Sequence, residues 1–271
     1  IHDTYWDGIH IGTLATNARV VGNTVYNTNL NYLNGEGVAA NDAAPVPRRR
    51  ANRGGIVLWS TMTTTVEYNT VYGVSNAGLQ LPDSAGILLA GPNPGTMVRY
   101  NVSRNNTNHG IWLSADAVPG ANRPEFHGNT ICGNGKFGFI NTGANTADAT
   151  GNWWGRNTPT TGLTPPRDIY SSSVLWDPPI RITLTRSPTS MTADGVSTAV
   201  ITATGTSGTY NILNGTLFTF STDTYSTLIT PAIVPSANGV ATATIRAGTV
   251  VPPAPSRTYI TVTTDPCGYT D

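Results

Sequence analysis

One short phrase, written four times, constrains this chain more than any other feature. Gly8-Ile9-His10-Ile11, Gly55-Ile56-Val57-Leu58, Gly86-Ile87-Leu88-Leu89 and Gly110-Ile111-Trp112-Leu113 all read Gly-Ile-x-apolar, and Gly138-Phe139-Ile140 is a weaker fifth copy. Between the copies falls a second phrase built on asparagine: GNTVYN at Asn23, YNTVYG at Asn69, YNVSRN at Asn101, GNTICG at Asn129 and GNWWGR at Asn152. The two beats alternate at spacings between 23 residues (Asn129 to Asn152) and 47 residues (Gly8 to Gly55). A sandwich of hairpins has no reason to repeat on that scale, whereas a solenoid repeats once per coil and puts excess length into its connections. Each coil then supplies parallel strands. Ile9, Ile56, Ile87 and Ile111 stack inward as one aliphatic column, with Ile11, Leu58, Leu89 and Leu113 as a second, two residues on. The recurring Asn suits a tight turn, since it tolerates left-handed backbone angles and its amide can bond to the equivalent Asn one coil away.

These paired phrases resemble those of the right-handed parallel β-helix family, the pectin-lyase-like architecture, over roughly residues 1–177. The resemblance implies an all-β fold of about five coils. It leaves function open between lyases, hydrolases, adhesins and surface fibres. Within it, Trp153 and Trp154 stand where the repeats stop, and two large aromatics there read as a cap on the last coil rather than as a platform for sugars. After Pro178-Pro179 the register changes to alternating Thr and aliphatic residues in IRITLT, TAVITAT, GTLFTFS, GVATATI and TYITVTT. Short strands punctuated by DG and NG predict an antiparallel sandwich over residues 178–271, with a C-terminal tail. TADGVSTAVITAT, NGTLFTFST and NGVATATI follow one another in the order of the bacterial Ig-like domain of the invasin/intimin group, which they resemble. That resemblance implies an extracellular or cell-surface spacer module.

Composition removes several partners. Acids and bases balance at 15 each and Lys136 is the only lysine, so no broad field draws in nucleic acid or anionic lipid. No apolar run is long enough to cross a membrane as a helix. Cys132 and Cys267, the only cysteines, stand far apart without a CxxC or a nearby His cluster, which gives no metal site and implies no cofactor. Whether they pair is not fixed by spacing.

Candidates for chemistry are scattered. Asp7 and His10 at the first coil, and Asp116 and Glu125 around a later insertion, are the acid and base candidates under an enzymatic reading, with Asp3, His109 and His127 nearby in sequence. Asp7 before Gly8 reads rather as a turn former, and Asp116 and Glu125 rather as solvated loop residues. Arg48-Arg49-Arg50 reads either as an anion grip or as solubilising charge. The outward row Val57, Trp59, Leu88 and Trp112 is apolar, so it is expected to be covered, and it is assigned with Ile1, Tyr5 and Trp6 to an interface. Sequons place candidate glycosylation at Asn101, Asn105 and Asn214. Because Ile1-His2-Asp3-Thr4-Tyr5-Trp6 enters the first coil with no amphipathic helix ahead of it, either further residues precede it or another copy covers that edge. The favoured expectation is a non-catalytic extracellular structural protein that associates with copies of itself, end to end, as a filament, stalk or surface-layer subunit. The alternatives are a carbohydrate-active β-helix enzyme or a fragment of one, and an adhesin with glycan partners.

Overall fold

In the computed structural model of the chain, the two phrases mark fixed points on a three-sided coil. The structure describes residues 1–4, 7–28, 52–75, 83–114, 122–143, 145–170, 173–267 and 269–270. Among these there is no helix.

The first side of the coil is the parallel sheet His2–Thr4, Thr24–Thr28, Thr70–Tyr72, Val102–Arg104 and Thr130–Cys132. The Gly phrases form the second, with strands Ile9–Ile11, Asn52–Trp59, Asp83–Ala90, His109–Leu113, Phe137–Asn141 and Arg167–Tyr170. On the third side lie Arg19–Val21, Thr65–Glu67, Met97–Arg99, Glu125–His127, Ala147–Asp148 and Val174–Leu175. Five turns are complete. The sixth lacks a strand on the first side, where Trp153 makes only a single bridge to Thr130.

Register follows the phrases. Ile9 pairs with Ile56, Ile56 with Ile87, Ile87 with Ile111, and Ile111 with Phe139. Of this column, the residues from Ile56 to Phe139 are wholly buried, each contributing about 1.5–3 kcal/mol of transfer free energy. The glycine ahead of each isoleucine is there for space. A Cβ on Gly8 or Gly55 would collide with the side chain of Val25 or Val71 across the coil, and one on Gly110 would lie 2.8 Å from Ile131 Cγ2. The strand starts so close to the opposite wall that only a residue without a side chain passes.

At the corner between the third and first sides, Asn23, Asn69, Asn101, Asn129 and Asn152 form a ladder, each Nδ2 donating to the next Oδ1 at 2.9–3.0 Å. The same oxygens accept the backbone N–H of the preceding Asn. This column carries the buried corners of the backbone, which water does not reach and which side-chain amides therefore satisfy.

The C-terminal region is an antiparallel sandwich of Ig-like form. One sheet runs Arg181–Ser187, Thr198–Ser207, Val240–Ala247, Ser226–Leu228, with Tyr210–Asn211 pairing back on Thr198–Ser207; the other runs Ile233–Pro235, Leu217–Thr222, Ile260–Asp265, Tyr269–Thr270. Ile182, Ile201, Ile245, Phe218, Phe220 and Val262 meet between them.

Candidate functional site

The two adjacent tryptophans sit where the domains meet, and they separate there. Along the first side of the coil, residues alternate outward and inward: Thr24, Thr70 and Thr130 face out while Val25, Val71 and Ile131 face in. Trp153 continues the outward file and Trp154 the inward one. Trp154 is accordingly buried with Ile131, Phe139 and Ile169 in the solenoid core, whereas Trp153 is buried with Ile180, Ile182, Phe218 and Phe220 in the sandwich core. The expected cap is thus shared: one indole ends the solenoid and its neighbour belongs to the next domain.

Further contacts weld the same joint. Ile180 N donates to Asn152 O at 2.9 Å, Gly151 N to Pro178 O at 2.8 Å, and the Asn157 amide is paired twice with the backbone of Ile182. Tyr210 stacks on His127 of the solenoid, ring centroids 4.8 Å apart. Cys132 and Cys267 form a disulfide, Cα to Cα 5.7 Å, so the question left by the sequence is answered. Gly155, at φ +75°, passes beside both cysteines, and a Cβ there would press on the Cβ of each at 3.0–3.1 Å.

Ionisable side chains collect on the outer face of the third side. In register lie Arg19, Thr65, Met97, Glu125 and Asp148 as one file, and Val21, Glu67, Arg99 and His127 as the next. Glu67 is buried, with Arg19 Nη2 donating to Oε1 at 2.8 Å and Arg99 Nε to Oε2 at 3.0 Å. Burial opposes its charge, but the two guanidiniums outweigh burial and hold its pKa below the usual carboxylate value. A carboxylate held this way is a poor proton acceptor. His127 Nδ1 donates to Thr150 O at 2.8 Å, leaving Nε2 toward Asp148 Oδ2 at 3.9 Å. Burial, then the charge of Glu125, raises the pKa of the Tyr210 hydroxyl. Beside these files Tyr68 and Tyr100 stack at 5.4 Å, with Tyr68 half exposed. On the first side His2, Tyr26 and Tyr72 stack at 4.9 and 5.1 Å, and the Arg104 guanidinium lies 5.0 Å over Tyr72.

The acid and base candidates do not converge. Asp7 does meet His10, Oδ2 to Nδ1 2.9 Å, but its other oxygen accepts Gly54 N at 3.1 Å, which ties the first coil to the second. Glu125 is exposed on a different side of the coil, three turns away, next to Asp148. Asp116 lies outside the described residues, as do Tyr5, Trp6 and Arg48-Arg49-Arg50. Ile1 is exposed, its ammonium donating to Thr24 O at 2.9 Å.

The apolar row assigned to an interface needs revision. Val57, Leu88 and Trp112 are buried within the single chain, in a second apolar layer with Ala85, Ala90, Phe137 and Ile140, and Trp59 packs against it. They offer no surface on which another molecule can sit. Asn101 is likewise no acceptor for a glycan: it is fully buried and its Nδ2 donates to Val66 O, Arg99 O and Asn129 Oδ1. Asn105 and Asn214 are exposed, the latter accepting Asn238 N at 2.7 Å.

Glu67, Arg19, Arg99 and Asp148 were not singled out from the sequence, although a signal existed. Counting back from each ladder Asn by two gives Val21, Glu67, Arg99, His127 and Thr150, and by four gives Arg19, Thr65, Met97, Glu125 and Asp148, which trace the two outward files.

A family model described as a right-handed β-helix region matches residues 1–153. Neither the curated proteins nor the solved structures compared with the chain contain a match.

Proposed function

The chain belongs to the right-handed β-helix family, which includes both pectate-lyase-like enzymes and structural or adhesive proteins, and we propose that it is a non-catalytic extracellular structural element. Its role is a stiff rod that associates with copies of itself, end to end, as a filament, stalk or surface-layer subunit. The observation that carries this reading is the joint. A spacer bead on a flexible linker needs no shared tryptophan pair, no interdomain disulfide and no backbone bonds across the boundary; a rod that must not bend needs all three. The sandwich's alternating Thr pattern and its resemblance to invasin/intimin Ig-like modules favour a surface location. The disulfide favours an oxidising compartment.

End-to-end association is supported by asymmetry. The sandwich is joined to the solenoid at Trp153, which makes the two ends of the rod unlike each other. A contact between unlike ends propagates without closing. The chemistry points the same way, because Glu67 is neutralised by two arginines and Asp7 is spent on Gly54.

One observation favours a second reading, adhesion to glycans: the half-exposed Tyr68 stacked on Tyr100 beside an ionic file offers rings on which sugars stack. Imaging the purified chain at rising concentration, while assaying reducing-end or unsaturated-sugar release on a polysaccharide panel, separates the readings. Inactive filaments are expected. Stable monomers that turn over a polysaccharide overturn the structural reading, and inactive monomers that bind glycans favour adhesion.

A further inference from the structure

Cys132 closes a column. It lies in register after Arg104, Tyr72, Tyr26 and His2, so each of the five complete turns contributes one residue to the file that ends at the disulfide. Cys267 lies just beyond Ile260–Asp265, the last long strand of the sandwich. Between the two cysteines in sequence lie the remaining strands of the solenoid, Phe137–Asn141, Ala147–Asp148, Arg167–Tyr170 and Val174–Leu175, and almost the whole sandwich.

We propose that this disulfide is a mechanical bypass. Tension applied to the chain beyond Cys267 passes through the sulfur bridge straight into the first side of the solenoid at Cys132. Once Tyr269–Thr270, which follows Cys267, has come away from Ile260–Asp265, the rest of the sandwich and the solenoid's last strands hang from the loop and carry none of it. A covalent bond fixes this path irrespective of how strongly the sandwich folds.

Local packing serves the same end. Gly155 has no side chain to wedge the two cysteines apart, Trp153 anchors the sandwich core to the turn that follows the Cys132 strand, and Tyr210 rests on His127. With the bridge closed, pulling cannot peel Ile260–Asp265 from Leu217–Thr222. With it open, that antiparallel pair lies directly in the path and unzips strand by strand. The inference rests on the stalk reading only for its biological purpose, since the bypass is a property of one molecule.

Single-molecule stretching of the full chain, with handles at residues 1 and 271, tests it. Under oxidising conditions the final extension is expected to match residues 1–132 plus the few after Cys267. After dithiothreitol has supplied two electrons and two protons and left two thiols, verified by thiol titration, the same molecule gains roughly 450–490 Å, the 135 bridged residues at about 3.3–3.6 Å each. The Cys132→Ser/Cys267→Ser variant is expected to show the longer extension without reductant; if that variant fails to fold, the oxidised and reduced wild type decide alone. Equal extensions before and after titrated reduction overturn the bypass. Failure to form filaments counts against the stalk and leaves the bypass standing.

Discussion

The solenoid and the sandwich are both all-β, yet they hold their cores by opposite rules. In the sandwich, Ala199, Ile201 and Ala203 point in while Val200, Thr202 and Thr204 point out, and Ala241, Ala243 and Ile245 repeat the pattern on the neighbouring strand. Neighbours along the strand decide where a residue goes. In the solenoid they do not suffice, because each residue's environment is the equivalent residue one coil away. Thus Asn69, Asn101, Asn129 and Asn152 are buried polar residues in a core otherwise made of Val, Ile and Phe. A parallel coil must take its corners inside, where backbone groups need partners, whereas most turns of an antiparallel sandwich reach water. Polar loss should therefore be far more costly in the first region than in the second.

The largest expected effects fall on the tryptophans, which tie the two regions together. Trp153→Ala and Trp154→Ala are each expected to cost about 3–5 kcal/mol, by the usual cost of emptying a buried aromatic site. Residue-resolved hydrogen exchange distinguishes them. Trp153→Ala should loosen amides around Ile182 and Ile212, and Trp154→Ala those around Phe139 and Ile169. If both loosen the same set, the molecule has one core and the contrast dissolves.

Asn101→Ala comes next. It removes the acceptor of Asn69 N and one of the acceptors of Asn69 Nδ2, and leaves Val66 O, Arg99 O and Asn129 Oδ1 each short of a donor. At about 1–3 kcal/mol for each buried group left unsatisfied, a loss of about 2–5 kcal/mol is expected in urea unfolding. Thr242→Ala, on the exposed face of the sandwich, should stay within about 0.5 kcal/mol. Similar losses at the two sites would show that the ladder is incidental. Below these ranks Gly110→Ala, whose Cβ would lie 2.5 Å from Gly138 O and 2.6 Å from Asn134 Nδ2, with a cost of about 1–3 kcal/mol from overpacking.

How much of this was legible depends on which rule a region obeys. The Gly-Ile and Asn phrases announce the coil, its inward columns and the amide ladder, because repetition leaves the same residue type at every turn. All five segments read as sandwich strands are strands, since alternation is visible in a single segment; the short strands Tyr210–Asn211, Ser226–Leu228 and Ile233–Pro235 carry too few residues to show it. The outer face of the third side was not read, for the residues that meet there share no type. Val21, Glu67, Arg99 and His127 form one file only when counted from the ladder, and a buried carboxylate between arginines leaves no local pattern. Val57, Leu88 and Trp112 were assigned to an interface for a related reason. An apolar outward row says that something covers it, but not whether the cover belongs to the same chain.

The smallest effects are electrostatic and set one acid of each region against the other. Glu67 is covered on the outer face of the solenoid, opposed by its burial but held ionised by Arg19 and Arg99. Asp194 is on the surface of the sandwich, its pKa lowered to about 2 by the backbone N–H and hydroxyl of Ser197 and then by Val196 N. Both folded-state values lie below the unfolded ones, so each group adds stability that is present above its unfolded pKa and lost as the pH falls through its folded pKa. For Glu67 the loss begins as the pH drops below 4.5, its unperturbed value, and for Asp194 it runs from 3.8 down to about 2. The consequences differ although the signs agree. Protonating Glu67 removes the carboxylate that bridges the Arg19 and Arg99 guanidiniums from one coil to the next, so the third side should loosen locally around Val66 and Val98. Protonating Asp194 releases a surface turn already in water and should move little else. Hydrogen exchange followed downward in pH is expected to show solenoid amides losing protection first, and Glu67→Gln to place that loss at neutral pH while Asp194→Asn leaves it where it was. Loss of protection in the sandwich ahead of the solenoid would mean that the buried ion pair is not what ties the coils together in acid.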